Sequence, residues 1–290
     1  MSRVPEEFHF IFGLRPQTEP FHIVWYLCLA SCIAVNSPRR VHLHYHHEPH
    51  GSWWDRIKPR LVLHRTAPET FVLNNPRYLE SAEGRFIKQV GLDYAHQSDF
   101  LRLKILLDHG GVYADMDTLF VNPLPRHLFD QQCVLGEEDP VQRPDGSVEV
   151  SLCNAVIMAA PGAAFIRRWL ARMYSVFDGT WSRHSCVEAG KLRSEFPDEL
   201  LVAPKRYFYK HMWTREGIHT LLQGCDTDYT DVYSMHLWAH LWWEPWRTDF
   251  TEFHKGMLTE DYICSVDTTF NVVARRFLDE SRAVCRRPRP

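Results

Sequence analysis

The sequence lacks an excess of positive charge. Its 290 residues hold 33 lysines and arginines against 36 aspartates and glutamates, which gives a formal net charge of −3. A general nucleic-acid binder usually carries a strong basic excess, so the composition argues against that class. The C-terminal segment 275–290 is locally basic. We interpret it as a solvated terminal helix, with peripheral contact to an anionic membrane surface as the alternative.

A cysteine pattern that would indicate a zinc ribbon or a small disulfide scaffold is also missing. Eight cysteines are scattered over the chain, at positions 28, 32, 133, 153, 186, 225, 264 and 285. None of these spacings matches a zinc ribbon. We therefore expect buried free thiols in a reducing compartment.

Signals for secretion or membrane insertion are absent as well. The opening residues MSRVPEEFHF carry acids where a secretory signal needs a basic and then an apolar stretch. The apolar run 21–35 is about 15 residues long, whereas a membrane span needs about 20. Pro20 before it and the Asn36-Ser37-Pro38 sequence after it are helix start and stop signals. We predict a buried core helix in a cytoplasmic protein that is at most peripheral to a membrane.

No internal repeat, low-complexity tract or clear linker divides the chain, which predicts one domain over 1–290. Apolar periodicity predicts strands at 8–13, 41–46, 60–65, 112–121 and 153–160, and helices at 21–35, 94–111 and 163–177. Strands that alternate with helices indicate an α/β fold with a largely parallel sheet.

Two aspartates, Asp115 and Asp117, interrupt the predicted strand 112–121. On an extended strand, residues two apart share a face, so both carboxylates would point the same way. Close carboxylates repel unless a cation lies near them, and oxygen ligands suit Mg²⁺ or Mn²⁺. Ligands of such sheets bind beyond the carboxyl ends of the strands, where this pair falls. The alternative for so short a motif is a solvated acidic turn.

The helix before this strand carries a second polar group. Ser98 is a candidate N-cap or first-turn residue, and Asp99 suits the positive end of a helix. Asp99 and Arg102 are three residues apart and share one face. They form either an exposed ion pair, worth less than about 1 kcal/mol, or a donor and acceptor pair that faces a polyol.

Taken together, these residues resemble a known family. The segment SDFLRLKILLDHGGVYADMD (98–117) resembles the S-D-x-x-R-x-x-x-L-x-x-x-G-G-x-Y-x-D-x-D block of the DXD-containing sugar transferases of glycosyltransferase family 32. The same block is recognisable in the glucosylating clostridial toxins and the α-1,4-galactosyltransferases. Weaker similarity extends to FHFIFG (8–13), CNAVIMA (153–159) and MHLWAHLWW (235–243).

This resemblance implies a GT-A fold: a Rossmann-like, mostly parallel sheet flanked by helices, with a C-terminal elaboration. Residues 1–160 would form the nucleotide-sugar-binding core, and 161–290 a helical, acceptor-side part. The implied activity is metal-dependent, retaining transfer of a hexose to a hydroxyl of a glycan, glycolipid or other acceptor. The donor would be a nucleotide-sugar, with UDP-sugar favoured over GDP-sugar. Mn²⁺ is expected before Mg²⁺, because a histidine ligand suits the softer ion.

The resemblance also implies roles for individual residues. Asp99 and Arg102 would hold hydroxyls of the transferred sugar. Asp115 would contact ribose, sugar or metal, and Asp117 would bind the metal directly; with Asp99 and Arg102 they form the expected catalytic set. The remaining implied contacts are Phe10, Phe12 and Gly13 at the base, Asn154 at the sugar, Trp238 in the nucleotide-sugar site and His236 at the metal. His240 is the rival of His236 if that segment is helical.

Three other features have open interpretations. His42, His44 and His46 alternate along one predicted strand. The alternatives are a zinc site formed by these histidines and a loop near the acceptor. Trp53 and Trp54 are candidates for stacking on a sugar, although most tryptophans are core residues. Glu137 and Glu138 are either acceptor-side acids or surface acids.

Two other functions compete with sugar transfer. The sequence DMDTL (115–119) is similar to the D-x-D-G-T-L motif of haloacid-dehalogenase-type phosphatases, but the glycine and a downstream Gly-Asp motif are missing. A non-catalytic sugar-binding relative would keep tryptophan clusters and lose metal ligands, whereas both aspartates are present. The sequence therefore favours a transferase.

Overall fold

The computed structural model of the protein describes residues 3–142 and 145–278. Residues 279–290 lie outside this description. They hold most of the basic segment for which membrane contact is predicted, and also Cys285.

Eleven strands and twelve α-helices are formed by the described residues, and all eight predicted elements are among them. The strands are β1 (Glu7–Ile11), β2 (Arg40–Tyr45), β3 (Val62–Arg65), β4 (Gly111–Ala114), β5 (Thr118–Phe120), β6 (Cys133–Glu137), β7 (Val141–Gln142), β8 (Val148–Glu149), β9 (Leu152–Ala159), β10 (Leu201–Ala203) and β11 (Ser234–His236). The helices are α1 (Ile23–Asn36), α2 (Ser52–Ile57), α3 (Thr70–Asn74), α4 (Ala82–Gln89), α5 (Asp93–His109), α6 (Arg126–Phe129), α7 (Ala164–Val176), α8 (Glu188–Glu195), α9 (Lys205–Tyr209), α10 (Arg215–Leu222), α11 (Glu260–Ser265) and α12 (Thr269–Ala274).

Seven strands form the central sheet in the order β10-β6-β9-β4-β1-β2-β3. Four neighbouring pairs are parallel, whereas β9 runs antiparallel to both β4 and β6. The chain reaches β9 from β6 through the short antiparallel pair β7–β8, without the helical crossover that a parallel strand requires. The prediction of a mostly parallel sheet is confirmed, with β9 as the exception. Since β10 joins the sheet from beyond residue 160, the proposed division of the chain at that point stays a prediction.

Helices cover the sheet on both faces. Helix α1 belongs to one hydrophobic cluster, in which Leu27 and Cys28 are fully buried. Helices α5 and α7 belong to the other, which includes Phe100 and Trp169. Burial of both faces explains why the strands read as continuous apolar runs. The interpretation of 21–35 as a core helix is confirmed. In the described parts of the chain, no helix has the length and apolarity to cross a membrane.

Most of the cysteines agree with the expectation of free thiols. Cys28, Cys32, Cys133 and Cys153 are free and buried, whereas Cys186 is half-buried and Cys225 is exposed, both also free. Cys264 is disulfide-bonded, so the expectation is wrong for that residue.

A small second sheet brings the C-terminal half to the acidic motif. Strand β11 pairs antiparallel with β5, and His236 lies opposite Thr118. Because Asp117 directly precedes Thr118, this pairing places two segments from distant parts of the sequence side by side. It sets the geometry of the site described next.

Candidate active site

The two aspartates lie in a tight turn between β4 and β5. The backbone amide of Thr118 donates to the carbonyl of Asp115 at 3.0 Å, which closes the turn. The prediction that both lie on an extended strand is therefore wrong. Their carboxylates converge because one imidazole contacts both: His236 Nε2 lies 3.1 Å from Asp117 Oδ1 and 3.7 Å from Asp115 Oδ2.

This Asp115–Asp117–His236 triad has the composition of a divalent metal site. One ligand atom from each residue lies within 4.8 Å of the other two. Two carboxylate oxygens and one imidazole nitrogen suit Mn²⁺, Mg²⁺ and similar ions. His236 Nδ1 is buried without a hydrogen-bond partner among the described residues. The donor set thus fits the ion that the sequence predicts.

The surroundings separate the two carboxylates in acidity. Burial raises the pKa of Asp115, although Arg102 and His236 oppose this. Burial also acts on Asp117, but the charge and hydrogen bond of His236 outweigh it and lower the pKa to about 2. The backbone amide of Ala239 adds a hydrogen bond to Asp117 Oδ2 at 2.8 Å. Burial lowers the pKa of His236, yet Asp117 reverses this and the net direction is upward. The two shifts are opposite in direction because the Asp117 carboxylate and the His236 ring each stabilise the charged form of the other.

A second polar network surrounds Asp99 on α5. Its Oδ1 accepts a hydrogen bond from Asn154 Nδ2 at 2.7 Å and lies 3.0 Å from Arg102 Nη2. Its Oδ2 lies 3.0 Å from His184 Nε2. Asp99 is 7% exposed and Arg102 is 5% exposed, so the alternative of an exposed surface pair is wrong. Burial raises the pKa of Asp99, but Arg102 and His184 outweigh it and the pKa falls.

Arg102 joins this network to the acidic turn. Its Nη1 donates to the Asn154 carbonyl at 2.8 Å and lies 3.1 Å from Asp115 Oδ1. The Tyr113 hydroxyl donates to the same Asp115 oxygen at 2.5 Å. One oxygen of Asp115 is thus occupied by Arg102 and Tyr113, whereas the other faces His236. A guanidinium held by two carboxylates fixes the turn against α5.

Helix α5 begins one residue before the predicted start at 94, and more than one turn before Ser98. Its first residue is Asp93, and Leu92 occupies the N-cap position. Ser98 therefore lies in the second turn, and the prediction that it is an N-cap or first-turn residue is wrong. Its Oγ accepts from Arg102 Nη2 at 3.2 Å instead. Ser98 supports the arginine rather than the helix terminus.

The triad and the network share a cavity of about 760 Å³. The other predicted residues that line it are Phe12, Gly13, Asn154 and Trp238. At Gly13, φ is +70° and a Cβ would lie 2.2 Å from the His47 carbonyl oxygen, so a side chain would clash there. Phe10 is fully buried in the core, within β1 and one residue before that strand ends, and it does not line the cavity. Its predicted contact with a nucleotide base is not supported by this placement.

Several cavity residues were not predicted or were left open. Glu138 lines the cavity and accepts from Trp213 Nε1 and Ser151 Oγ, both at 3.0 Å, whereas Glu137 is exposed. Burial raises the pKa of Glu138. The sequence signal for Glu138 was its position after an apolar run. His184 contacts Asp99 without lining the cavity, and it had no sequence signal, since the π-helical turn Arg183–Val187 matches no motif.

Aromatic rings form another wall, from three tryptophans that the sequence did not single out and from His240. Trp25 and Trp243 stack with ring centroids 4.2 Å apart, and Trp181 stacks on His240 at 4.9 Å. All four line the cavity. Trp53 and Trp54 do not: Trp54 is buried, and Trp53 lies against Tyr26 of α1. The candidate stacking role of this pair is therefore not supported.

The histidines of β2 form no group with metal-site geometry. His42 lies 2.8 Å from His64, and His44 lies 3.2 Å from His9, in each case ring nitrogen to ring nitrogen. His46 instead contacts the Leu14 carbonyl at 3.2 Å. Within the described residues, the group that could hold a metal is the Asp115–Asp117–His236 triad. The zinc alternative for His42, His44 and His46 is not supported.

A mostly parallel α/β sheet with an acidic turn at its carboxyl edge, a facing histidine and a buried Asp-Arg pair defines a glycosyltransferase of the GT-A type. A sequence model described as "Glycosyltransferase sugar-binding region containing DXD motif" matches residues 42–135. The chain belongs to this DXD-containing family, glycosyltransferase family 32. The protein is thus an enzyme, and both competing functions, phosphatase and non-catalytic binder, are set aside.

Two fungal proteins are among the relatives of this chain. "Glucan organizing enzyme 1" of Cryptococcus neoformans var. grubii serotype A is 31% identical over 283 residues, which cover 95% of this chain and 71% of that protein. The "Initiation-specific alpha-1,6-mannosyltransferase" of Schizosaccharomyces pombe is 30% identical over 105 residues, 33% of this chain and 26% of that protein. Among solved structures, the galactosyltransferase LgtC with donor and acceptor sugar analogs has a TM-score of 0.48 at 16% identity, over 94% of this chain and 96% of that one.

Proposed function

We propose that this glycosyltransferase is a metal-dependent, retaining hexosyltransferase that uses a nucleotide-sugar donor. The acceptor would be a hydroxyl of a glycan, glycolipid or similar molecule. The observation that carries this proposal is the position of the Asp115–Asp117–His236 triad beside the Asp99–Arg102–Asn154 network, on the wall of one cavity. UDP-sugars are the first donors to test. GDP-sugars follow, and the name of the mannosyltransferase relative makes mannose a candidate hexose.

The triad would hold the divalent ion. When bound there, the ion would supply Lewis-acid stabilisation of the charge that develops on the departing diphosphate. Mn²⁺ is expected to activate better than Mg²⁺, because the set includes an imidazole.

The Asp99 network would orient the sugar. Asp99 and Arg102 are rigid because each has several partners within hydrogen-bond distance. A preorganised carboxylate and guanidinium can exchange hydrogen bonds with sugar hydroxyls without first ordering themselves. Asn154 donates to Asp99 and would keep it in the orientation that a sugar requires.

The C-terminal segment would exclude water from the reaction. The ring centroids of Trp238 and His236 lie 4.1 Å apart. Trp238 Nε1 donates to the His211 carbonyl at 2.9 Å. Water that reached the reacting carbon would hydrolyse the donor, so a covered site favours transfer. The transition state is expected to be oxocarbenium-like. We assign no side chain as nucleophile; the departing phosphate would assist the incoming hydroxyl on the same face.

The test is nucleotide release from a panel of UDP- and GDP-sugars, measured with and without Mn²⁺. We expect one sugar to be turned over strongly, with release lost after exhaustive chelation. Full activity after chelation would contradict the metal requirement, and inactivity with every nucleotide-sugar would contradict the donor class. A cytoplasmic location with peripheral membrane contact through 275–290 is part of the proposal and is tested by cell fractionation.

A further inference from the structure

Among the described residues, six acidic side chains line the cavity, and five of them belong to the site described above or have a cationic partner. Three form the triad and the Asp99 network. Glu19 and Glu244 share Lys255, whose Nζ lies 2.7 and 3.2 Å from their respective carboxylate oxygens. Glu138 is the sixth, and its described partners are neutral donors. The proposed function gives this carboxylate no role.

The carboxylate of Glu138 is held in one orientation. Trp213 Nε1 donates to its Oε1 and Ser151 Oγ donates to its Oε2, both at 3.0 Å, and the Cys186 thiol is a third partner. An ionised carboxylate has about four sites that can accept hydrogen bonds, so these donors leave capacity for a ligand. A half-buried acid that is oriented by the protein and lines a cavity is preorganised to receive the hydroxyl of a ligand.

Strand β9 relates Glu138 to the rest of the site. Strand β6 ends beside the start of β9, so Glu138 lies next to Ser151. Asn154, whose side chain holds Asp99, is three residues further along the chain, which is roughly 10 Å in an extended strand. The charges of Glu138 and His236 act on each other's pKa values, although burial is the larger cause for both. Glu138 therefore lies within electrostatic reach of the triad and to one side of the Asp99 network.

We propose that Glu138 positions the acceptor, by accepting a hydrogen bond from a hydroxyl of the saccharide that receives the hexose. This inference rests on the proposed function, in which the triad and the Asp99 network account for the diphosphate and the sugar of the donor. A saccharide carries several hydroxyls, so one can donate to Glu138 while its neighbour attacks. The attacking oxygen bonds to the anomeric carbon, the bond from that carbon to the phosphate oxygen breaks, and the proton leaves with the diphosphate. Glu138 orients the acceptor and takes no proton.

The experiment compares transfer with hydrolysis of the same donor. The nucleotide-sugar that wild type turns over is supplied with Mn²⁺ and with methyl glycosides and disaccharides of glucose, galactose and mannose as acceptor probes. Mass spectrometry quantifies the glycosylated probe and the free hexose. Glu138→Gln should lower transfer roughly tenfold to a hundredfold, as expected for a hydrogen bond to a charged group, and leave hydrolysis unchanged. Glu138→Asp should be intermediate in transfer. The matched control Glu137→Gln, at the exposed neighbour, should change neither rate.

The outcomes separate the acceptor contact from the function. Wild-type transfer by a folded Glu138→Gln protein overturns the contact and leaves the proposed function standing. An equal fall in transfer and hydrolysis also overturns it, because Glu138 would then act on the donor or on the fold. Should Glu138→Gln fail to fold, Glu138→Asp decides, and an unchanged ratio of transfer to hydrolysis there overturns the contact. A wild type that hydrolyses the donor but glycosylates no probe overturns the saccharide acceptor, and one with neither activity overturns the proposed function itself.

Discussion

Asp117 connects the acidic turn to the C-terminal half of the chain through both of its carboxylate oxygens. Oδ1 lies 3.1 Å from His236 Nε2, and Oδ2 accepts the Ala239 amide at 2.8 Å. Asp115, in contrast, faces Arg102 and Tyr113 on one side and His236 on the other. The two carboxylates of one short motif therefore have different partners, and we expect different consequences when each is altered.

The substitution Asp117→Asn removes a predicted metal ligand and changes the side-chain shape little. Activity should fall more than about 100-fold, since even groups that only support metal ligands cost about 10–100-fold when lost. The fold should persist, as judged by circular dichroism. Asp108→Asn, at an exposed acid of α5, is the matched control and should keep its activity. Wild-type donor hydrolysis by Asp117→Asn would show that the site assignment is wrong.

His236 and His240 provide a second comparison at this scale. His236 belongs to the triad, whereas the ring of His240 stacks on Trp181 with centroids 4.9 Å apart. We expect His236→Ala to raise the Mn²⁺ concentration for half-maximal activity by a larger factor than His240→Ala does. Equal factors for the two variants would remove His236 from the predicted metal site.

At the scale of elements, α5 holds the residues predicted to bind the sugar. Deleting the Asp99 side chain would break a buried ion pair, at a cost of about 3–5 kcal/mol, and would also leave its space empty. Asp99→Asn loses the charge but keeps the shape and one oxygen acceptor, so it is the better test. It should lower kcat/KM for the nucleotide-sugar by roughly tenfold to a hundredfold, as expected for a hydrogen bond to a charged group. Affinity for the free nucleoside diphosphate, measured by calorimetry, should change little. If both fall equally, Asp99 does not act on the sugar.

The edge of the sheet at β1, β2 and β3 carries a cluster of histidines outside the active site. It consists of His9, His42, His44 and His64, with His109 at the end of α5. Burial and the neighbouring imidazoles lower the pKa of His9 to about 3 and that of His44 to about 2. The pKa values of His42 and His64 are also lowered, chiefly by burial, although Glu7 opposes this at His42. Arg40 adds further positive charge near His42. His9, His42, His44 and His64 are therefore neutral in the folded protein at pH 7.

This cluster predicts loss of stability in mild acid. The unfolded chain takes up protons near pH 6.5, whereas His9 and His44 stay neutral in the fold until about pH 3, so the free energy of unfolding falls as pH drops below about 6.5. Urea unfolding at several pH values between 7.5 and 5 measures this pH dependence of the free energy of unfolding. His9→Gln combined with His44→Gln should make the dependence less steep, whereas the exposed control His219→Gln should not. An unchanged slope in the double variant would contradict the interpretation.

At the scale of the whole molecule, the predicted metal site joins the β4–β5 turn to β11. An ion that binds only the folded state stabilises it, by about 2.7 kcal/mol at a concentration of 100 times Kd. For a chain of this size, we expect Mn²⁺ to raise Tm by several degrees. Asp117→Asn should show no such rise. Differential scanning fluorimetry measures the rise in Tm. An equal rise in wild type and Asp117→Asn would place the bound ion elsewhere.

The sequence by itself determined the local features. Helix and strand positions followed from apolar periodicity, and the pairing of Asp99 with Arg102 followed from a spacing of three residues on one helix. These interactions involve residues close in sequence, so the pattern of a short segment contains them. The block at 98–117 carried the identification for the same reason, because its spacing is fixed within one helix, one glycine pair and one strand.

The tertiary structure decided the long-range contacts. His236 meets Asp117 across 119 residues, and His184 meets Asp99 across 85. The first pairing depends on the β5–β11 ladder and the second on the packing of the Arg183–Val187 turn beside β9. No local pattern specifies such partners, since they are selected by which surfaces become buried together. The resemblance indicated His236, but His184 and the β9 direction were visible only once the chain was folded.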